Sequence, residues 1–203
     1  MHEHISSAYD RDLEGITTLI MKMGGLVEEA ILDAAKSLAN RDVELAEKVR
    51  AGDKLIDALE IQINEEAART IALRAPVSKD LRSVLTVLRL AASLERIGDY
   101  AKNIAKRTSV VVEMNPVSGS DTALRRMARE VAQMLKDTLD AYVRGDAALA
   151  EDVRQRDQEV DQMYNALFRE FLTFMMEDPR NITACMHLHF MAKNIERMGD
   201  LST

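Results

Sequence analysis

The sequence predicts an all-α protein built as two tandem, pseudo-symmetric three-helix bundles, with six long antiparallel helices. Three observations carry this reading. The 203 residues include only 3 prolines and 8 glycines, too few turn residues to punctuate a dozen short strands. The long segments between those breaks carry apolar stripes at helical spacing. The second half also repeats the first. DVELAEKVRAGDKLID, starting at Asp42, and DAALAEDVRQRDQEVD, starting at Asp146, share Leu45/Leu149, Ala46/Ala150, Glu47/Glu151, Val49/Val153, Arg50/Arg154, Asp53/Asp157 and Asp57/Asp161 at one offset. Farther on, ERIGD at 95–99 matches ERMGD at 196–200.

Each element has its own punctuation. Ser7-Ala8-Tyr9-Asp10 offers a cap for a first helix that runs to about Leu38. Asn40-Arg41-Asp42 reads as a turn, with Asp42 as cap and Glu44 favourable at the positive helix start. The second helix runs to about Arg74, where Pro76 disfavours helix at the residue before it. Ser78 is the expected cap of a third helix reaching about Val112. Asn115-Pro116-Val117-Ser118-Gly119-Ser120 is the one Gly/Pro/Ser cluster, and it separates a first unit (1–114) from a second (121–203) through a linker at 115–120. The fourth helix spans about Thr122–Val143, and Arg144-Gly145-Asp146 is the next turn. The fifth runs to about Met176, before Glu177-Asp178-Pro179, and the sixth starts near Asn181. Short connections make neighbouring helices antiparallel, so each unit reads as an up-down-up bundle.

Composition narrows the function classes. The formal charge of −7 disfavours nucleic-acid binding, which needs surplus Lys and Arg to neutralise phosphates. The single cysteine, Cys185, excludes an internal disulfide and suits a reducing compartment. No stretch approaches the roughly 20 apolar residues of a membrane span. Met1-His2-Glu3-His4 has neither the basic nor the apolar part of a signal peptide. The expectation is a soluble cytoplasmic protein.

The acid excess gathers in four pairs spaced i, i+4: Asp53 with Asp57, Glu95 with Asp99, Asp157 with Asp161, and Glu196 with Asp200. Each pair sets like charges side by side on one helix face. On the third helix the pair continues a stripe of Leu81, Leu85, Leu88 and Ala92; on the sixth it continues Ile182 and Met186. Asp57 lies 19 residues before Pro76 and Glu95 lies 19 after it. At ~1.5 Å rise per residue both stand at the same height. The second half places Asp161 and Glu196 similarly about Pro179. Each half therefore gathers four carboxylates, a donor set suited to hard cations such as Mg²⁺, Mn²⁺ or Fe. The alternative is an ion-pair layer through Arg96, Arg197, Lys102 or Lys193. Lys193 holds the position of Ala92 and is expected near Glu196, which makes the second cluster the weaker metal site.

Two three-helix repeats, each with D-x-x-x-D on the middle helix and E-R-[IM]-G-D on the last, resemble the PhoU family of phosphate uptake regulators. RAPVSKDLR at 74–82 is similar to the family's loop into its third helix, and ERIGDYAKNIAKR at 95–107 to its signature helix. Met23-Gly24-Gly25-Leu26-Val27-Glu28-Glu29-Ala30 fits its first helix, and the resemblance runs from about Asp12 to Asp200. It implies a cytoplasmic, non-enzymatic adaptor between the ATPase of the phosphate ABC transporter and a sensor histidine kinase. Such an adaptor negatively regulates phosphate transport and the starvation response, forms a homodimer, and meets the membrane only through partners. It further implies divalent or iron cations, in multinuclear clusters in some members, held by Asp53, Asp57, Glu95, Asp99, Asp157, Asp161, Glu196 and Asp200. The resemblance would carry the last helix past E-R-x-G-D. Here the chain stops shortly after Asp200, which reads as a shortened helix and a less secure second cluster.

Two rivals stand beside this reading. A di-iron carboxylate enzyme uses Glu-x-x-His ligand pairs, and none of His2, His4, His187 and His189 follows a glutamate by three. A purely structural helical tether would explain the helices but not the aligned acids. His189 reads as a structural histidine, His187 as solvent-facing, and His2 and His4 as part of a disordered tail. Cys185 reads as a small core residue. Gly24-Gly25 lacks the Lys-Ser/Thr of a phosphate loop. The 12 methionines read as gap fillers, with Met175 and Met176 beside Phe168, Phe171 and Phe174 as an alternative binding face.

Overall fold

The computed structural model describes residues 2–203, with side chains from Ala8 onward. The side chains of His2 and His4 lie outside the described residues. Six α-helices follow one another: α1 (His2–Asn40), α2 (Val43–Arg74), α3 (Lys79–Val111), α4 (Ser120–Arg144), α5 (Ala147–Glu177) and α6 (Ile182–Ser202), with a 3₁₀ turn at Pro179–Asn181 before α6. No strand occurs among the described residues. Helices α1, α2 and α3 pack on one another as one bundle, and α4, α5 and α6 as a second. The bundles meet through α1 against α4 and α3 against α6.

The turns follow the expected punctuation, with two departures. Asp42 caps α2 by accepting from the Leu45 N–H at 2.9 Å. Asp146 caps α5 by accepting from the Ala148 and Leu149 N–H groups, both at 3.0 Å. Each satisfies helix-start donors that would otherwise be orphaned. Ser78 does stand at the start of α3, but its side chain makes no capping bond, and its φ of 53° aims the backbone away from that role. No helix starts at Ser7–Asp10 either, because α1 runs unbroken through Ala8, Tyr9 and Asp10.

The inner face of α3 is not the expected one. Leu85 is 43% exposed and Ala92 is exposed, while Val84, Val87, Ala91, Leu94 and Ala101 are buried. On α6, Ile182 and Met186 are 45% and 40% exposed, while Ala184, Cys185, Leu188 and Met191 are buried. The core row is offset by one position from the predicted row. Helix α3 must cover α1, α2 and α6 together, and a buried face that wide is centred on small and β-branched residues. The acidic row runs along its border, beside α2. Cys185 is buried as expected, and burial pushes its thiol pKa up. His187 is half-buried, with Nδ1 3.3 Å from Arg107 Nη1, rather than facing solvent. Phe171 is fully buried, whereas Phe168 and Met176 are exposed.

Two carboxylate clusters as candidate metal centres

Both clusters sit where the middle and last helices of a bundle come unusually close. The glycine of E-R-x-G-D makes the approach possible. A Cβ on Gly199 would stand 2.8 Å from Asp157 Oδ1 and 3.5 Å from Val160 Cγ1. A Cβ on Gly98 would meet Ile56 Cδ1 at 3.0 Å and lie 3.8 Å from Asp53 Oδ1. The first Asp of each D-x-x-x-D therefore rests on the bare backbone of the opposite helix. Asp53 is only 4% exposed, and Glu196 is 8% exposed.

The first cluster draws in a cation from the protein itself. Lys102 donates to Asp53, and its Nζ lies 3.1 Å from Asp99 Oδ1. Those bonds hold the Lys102 ammonium well above its usual pKa. Asp57 and Glu95 stay outside this bridge. Burial, then the charge of Asp53, raises the Asp57 pKa. Burial raises Glu95, followed by the charges of Asp99, Glu60, Asp57 and Asp53. Glu60 thus stands near enough to Glu95 for its charge to act on it. It stands one turn after Asp57, at the position held by Tyr164 in the second half, and the shared D-x-x-x-D pattern could not reveal it.

The second cluster brings three of its acids within reach of one another. One oxygen from each of Asp161, Glu196 and Asp200 lies within 4.8 Å of the others, the one such triad among the described residues. Burial, then the charges of Asp200, Asp161 and Glu196, pushes the Asp157 carboxyl up to about 6. Lys193 donates to Glu196 Oε1, as its position suggested. Glu196 Oε2 remains buried with no hydrogen-bond partner. An orphaned carboxylate oxygen among three further acids fits an oxygen-coordinated cation. A lysine contacts each cluster: Lys102 joins Asp53 to Asp99 in the first, and Lys193 binds Glu196 in the second, where Lys193 and the short last helix had led to the expectation of a weaker site. The lysine at 102 has Thr203 as its counterpart in the repeat. Arg96 and Arg197 are exposed and form no ion pair with either cluster among the described residues.

His189 lies beside the second cluster without joining it. Its ring stacks on Tyr164 with centroids 5.7 Å apart and meets Phe168 at 5.2 Å. Burial, then Lys193, lowers its pKa. Lys193 also lies 5.1 Å over the Tyr164 ring.

The PhoU domain family model matches residues 20–108 and again 124–203. A phosphate-specific transport system accessory protein PhoU homolog of Caulobacter vibrioides (strain NA1000 / CB15N) is 46% identical over 203 residues, covering 100% of this chain and 88% of the relative. The accessory protein PhoU of Escherichia coli (strain K12) is 39% identical over 200 residues, covering 98% of this chain and 83% of the relative. Among solved structures, PhoU from Pseudomonas aeruginosa aligns with a TM-score of 0.92 at 36% identity, covering 96% of this chain and 93% of the other. The phosphate transport system regulatory protein PhoU from Streptococcus pneumoniae aligns at 0.80 with 28% identity, covering 96% and 94%. Matched twice along its length, and sharing both fold and sequence with these proteins, the chain belongs to the PhoU family.

Proposed function

We propose that the chain is a cation-binding regulator of phosphate uptake, an accessory to the phosphate transport system and not an enzyme. The full-length likeness to phosphate-specific transport system accessory proteins supports the phosphate role. The observation that carries the cation role is the convergence of Asp161, Glu196 and Asp200, one oxygen of each within 4.8 Å of the others, together with a Glu196 Oε2 that is buried and has no hydrogen-bond partner. With Asp157 they would hold Mg²⁺, Mn²⁺ or iron, singly or as a multinuclear group. Asp53, Asp57, Glu95 and Asp99 form the counterpart set, at which a cation must displace or share with Lys102. Bound cations would supply charge that cancels the repulsion among the acids. The protein's own groups then set helix spacing: Gly98 and Gly199 fix the approach, and the paired acids hold α2 to α3 and α5 to α6.

In this reading the loaded clusters present an ordered surface to the ATPase of the phosphate ABC transporter and to a sensor histidine kinase. Transport and the starvation response stay off while phosphate is plentiful. The site of action is the cytoplasmic side of the membrane. No helix among the described residues is long and apolar enough to cross it; in this reading the chain meets the membrane through its partners and works as a homodimer.

Calorimetry with Mg²⁺, Mn²⁺ and Fe²⁺, combined with elemental analysis, tests the cation role. Binding by the wild type that falls in stoichiometry or affinity in Glu196→Gln with Asp161→Asn supports it. No binding of any of these ions returns the clusters to an ion-pair layer. Deletion followed by a phosphate-starvation reporter in phosphate-rich medium tests the regulatory role. A reporter that stays off in the deletion strain rejects it.

A further inference from the structure

The turns that join α1 to α2 and α4 to α5 are built alike. Asp42 N–H donates to Ser37 O and Arg41 N–H to Leu38 O; Asp146 N–H donates to Ala141 O and Gly145 N–H to Tyr142 O. The repeat offset therefore carries across both turns. Asp33 on α1 stands where Asp137 stands on α4, and Gly52 on α2 where Arg156 stands on α5.

In the second half Arg156 reaches across onto α4. Its Nη2 lies 2.5 Å from Asp137 Oδ2 and its Nη1 3.5 Å from Glu130 Oε1. Its Nε lies 3.1 Å from Asp152 Oδ2, off the line of a hydrogen bond. In the first half the glycine leaves a cleft of about 160 Å³ between α1 and α2. Leu26, Ala30, Val49 and Ile56 line it, with Glu29 and Asp33 at its edge. Lys48 covers it loosely, with Nζ 3.6 Å from Glu29 and 3.8 Å from Asp33 and a side chain 68% exposed.

We propose that this cleft is a socket for an arginine side chain presented by a helix of a partner protein. Arg156 holds the equivalent position in the second half; of its three acids, Asp137 has an acidic counterpart in Asp33, whereas Glu130 and Asp152 correspond to Leu26 and Lys48, so the first-half site is more apolar and keeps one carboxylate for a guanidinium. A guanidinium is flat and weakly hydrated, so its faces suit the apolar lining while its fork of N–H groups reaches a carboxylate. Asp33 is the counterpart of the acid that Arg156 grips most closely. Lys48 swings out at little cost, because its own side chain is exposed and both of its contacts, 3.6 and 3.8 Å, are long for an ion pair. Leu55, 60% exposed beside the cleft, gives the partner helix an apolar contact next to its arginine. The socket lies between α1 and α2 and uses none of the cluster carboxylates, with Ile56 bordering both it and the Gly98 approach.

The test uses the full chain and a defined probe: an alanine-rich helical peptide with one arginine and a leucine one turn away. Its partner probe carries citrulline, the uncharged isostere, in place of the arginine. Nuclear magnetic resonance is expected to show saturable shifts of the Gly52 amide and the Leu55 and Ile56 methyls with the arginine peptide. Binding should weaken about tenfold or more with citrulline or with Asp33→Asn. A Cβ at residue 52 meets nothing within 4 Å, so the site admits a side chain. Gly52→Arg should abolish peptide binding and melt above Gly52→Ala, which controls for helix propensity. Equal binding of the citrulline peptide, undiminished binding to Gly52→Arg, or no Gly52 shift at millimolar peptide overturns the proposal. Self-association in sedimentation that Gly52→Arg abolishes also overturns it, by making a second copy the occupant.

Discussion

Single atoms decide how the clusters behave. A methyl group at residue 199 would press on the Asp157 carboxylate, whereas one at residue 98 meets chiefly the movable end of Ile56. Gly199→Ala should therefore destabilise by about 1–2 kcal/mol despite its better helix propensity. Gly98→Ala should be close to neutral, and thermal melting of both variants without cations checks the contrast. The pH response follows from Asp157. Its folded pKa of about 6 lies above its ordinary value of 3.8, so the folded chain holds this proton more tightly than the unfolded one. Stability without cations should then fall as pH rises from about 4 to about 6. The raised pKa values of Asp57 and Glu95 act in the same direction. Urea denaturation in a chelator across this range reads the slope, and Asp157→Asn should flatten it. The paired acids were legible in the sequence because i, i+4 spacing fixes a helix face. Lys102 was readable as an ion-pair partner from its place one turn after Asp99, but its reach to Asp53 and the approach of Glu60 to Glu95 were not, because each depends on which neighbour lies across the groove.

At the scale of elements, the boundaries were readable to within a residue or two wherever proline, glycine or an aspartate cap marks them. Asp42, Asp146 and the break at Pro76 are cases in point. The orientation of α3 was not, because the row Leu81–Leu85–Leu88 is as apolar as the row that is buried. Only the presence of three packing neighbours chooses between them. One cross-tie between elements is also invisible in the sequence. Arg41, in the left-handed conformation with φ 54°, donates to Val112 O and, at 3.1 Å, to Met114 O. It thereby ties the α1–α2 turn to the end of α3, satisfying carbonyls that the helix leaves free. Arg41→Ala should cost about 1 kcal/mol, and hydrogen exchange should show the loss concentrated at 108–115.

At the scale of the molecule, the join between bundles rests on close contact at α1 and α4. A Cβ at Gly24 would stand 2.2 Å from Leu139 Cδ1. Gly24→Val should cost about 2 kcal/mol or more through overpacking. Leu139→Ala in the same chain should recover much of the loss, and a double-mutant cycle by denaturation measures the coupling. The helices that meet there run in opposite directions. Leu13 lies near Tyr142, and Leu38 near Ser120; likewise Arg107, late in α3, meets His187, early in α6. Across the join, α1 touches α4 and α3 touches α6, so each helix meets its own counterpart from the other repeat. That is the geometry of an isologous contact, in which one patch serves both partners and is used up when they meet. An array of stacked repeats grows because every unit keeps a free end for the next. Here the contact closes on itself, so this patch is spent between the two copies and does not propagate.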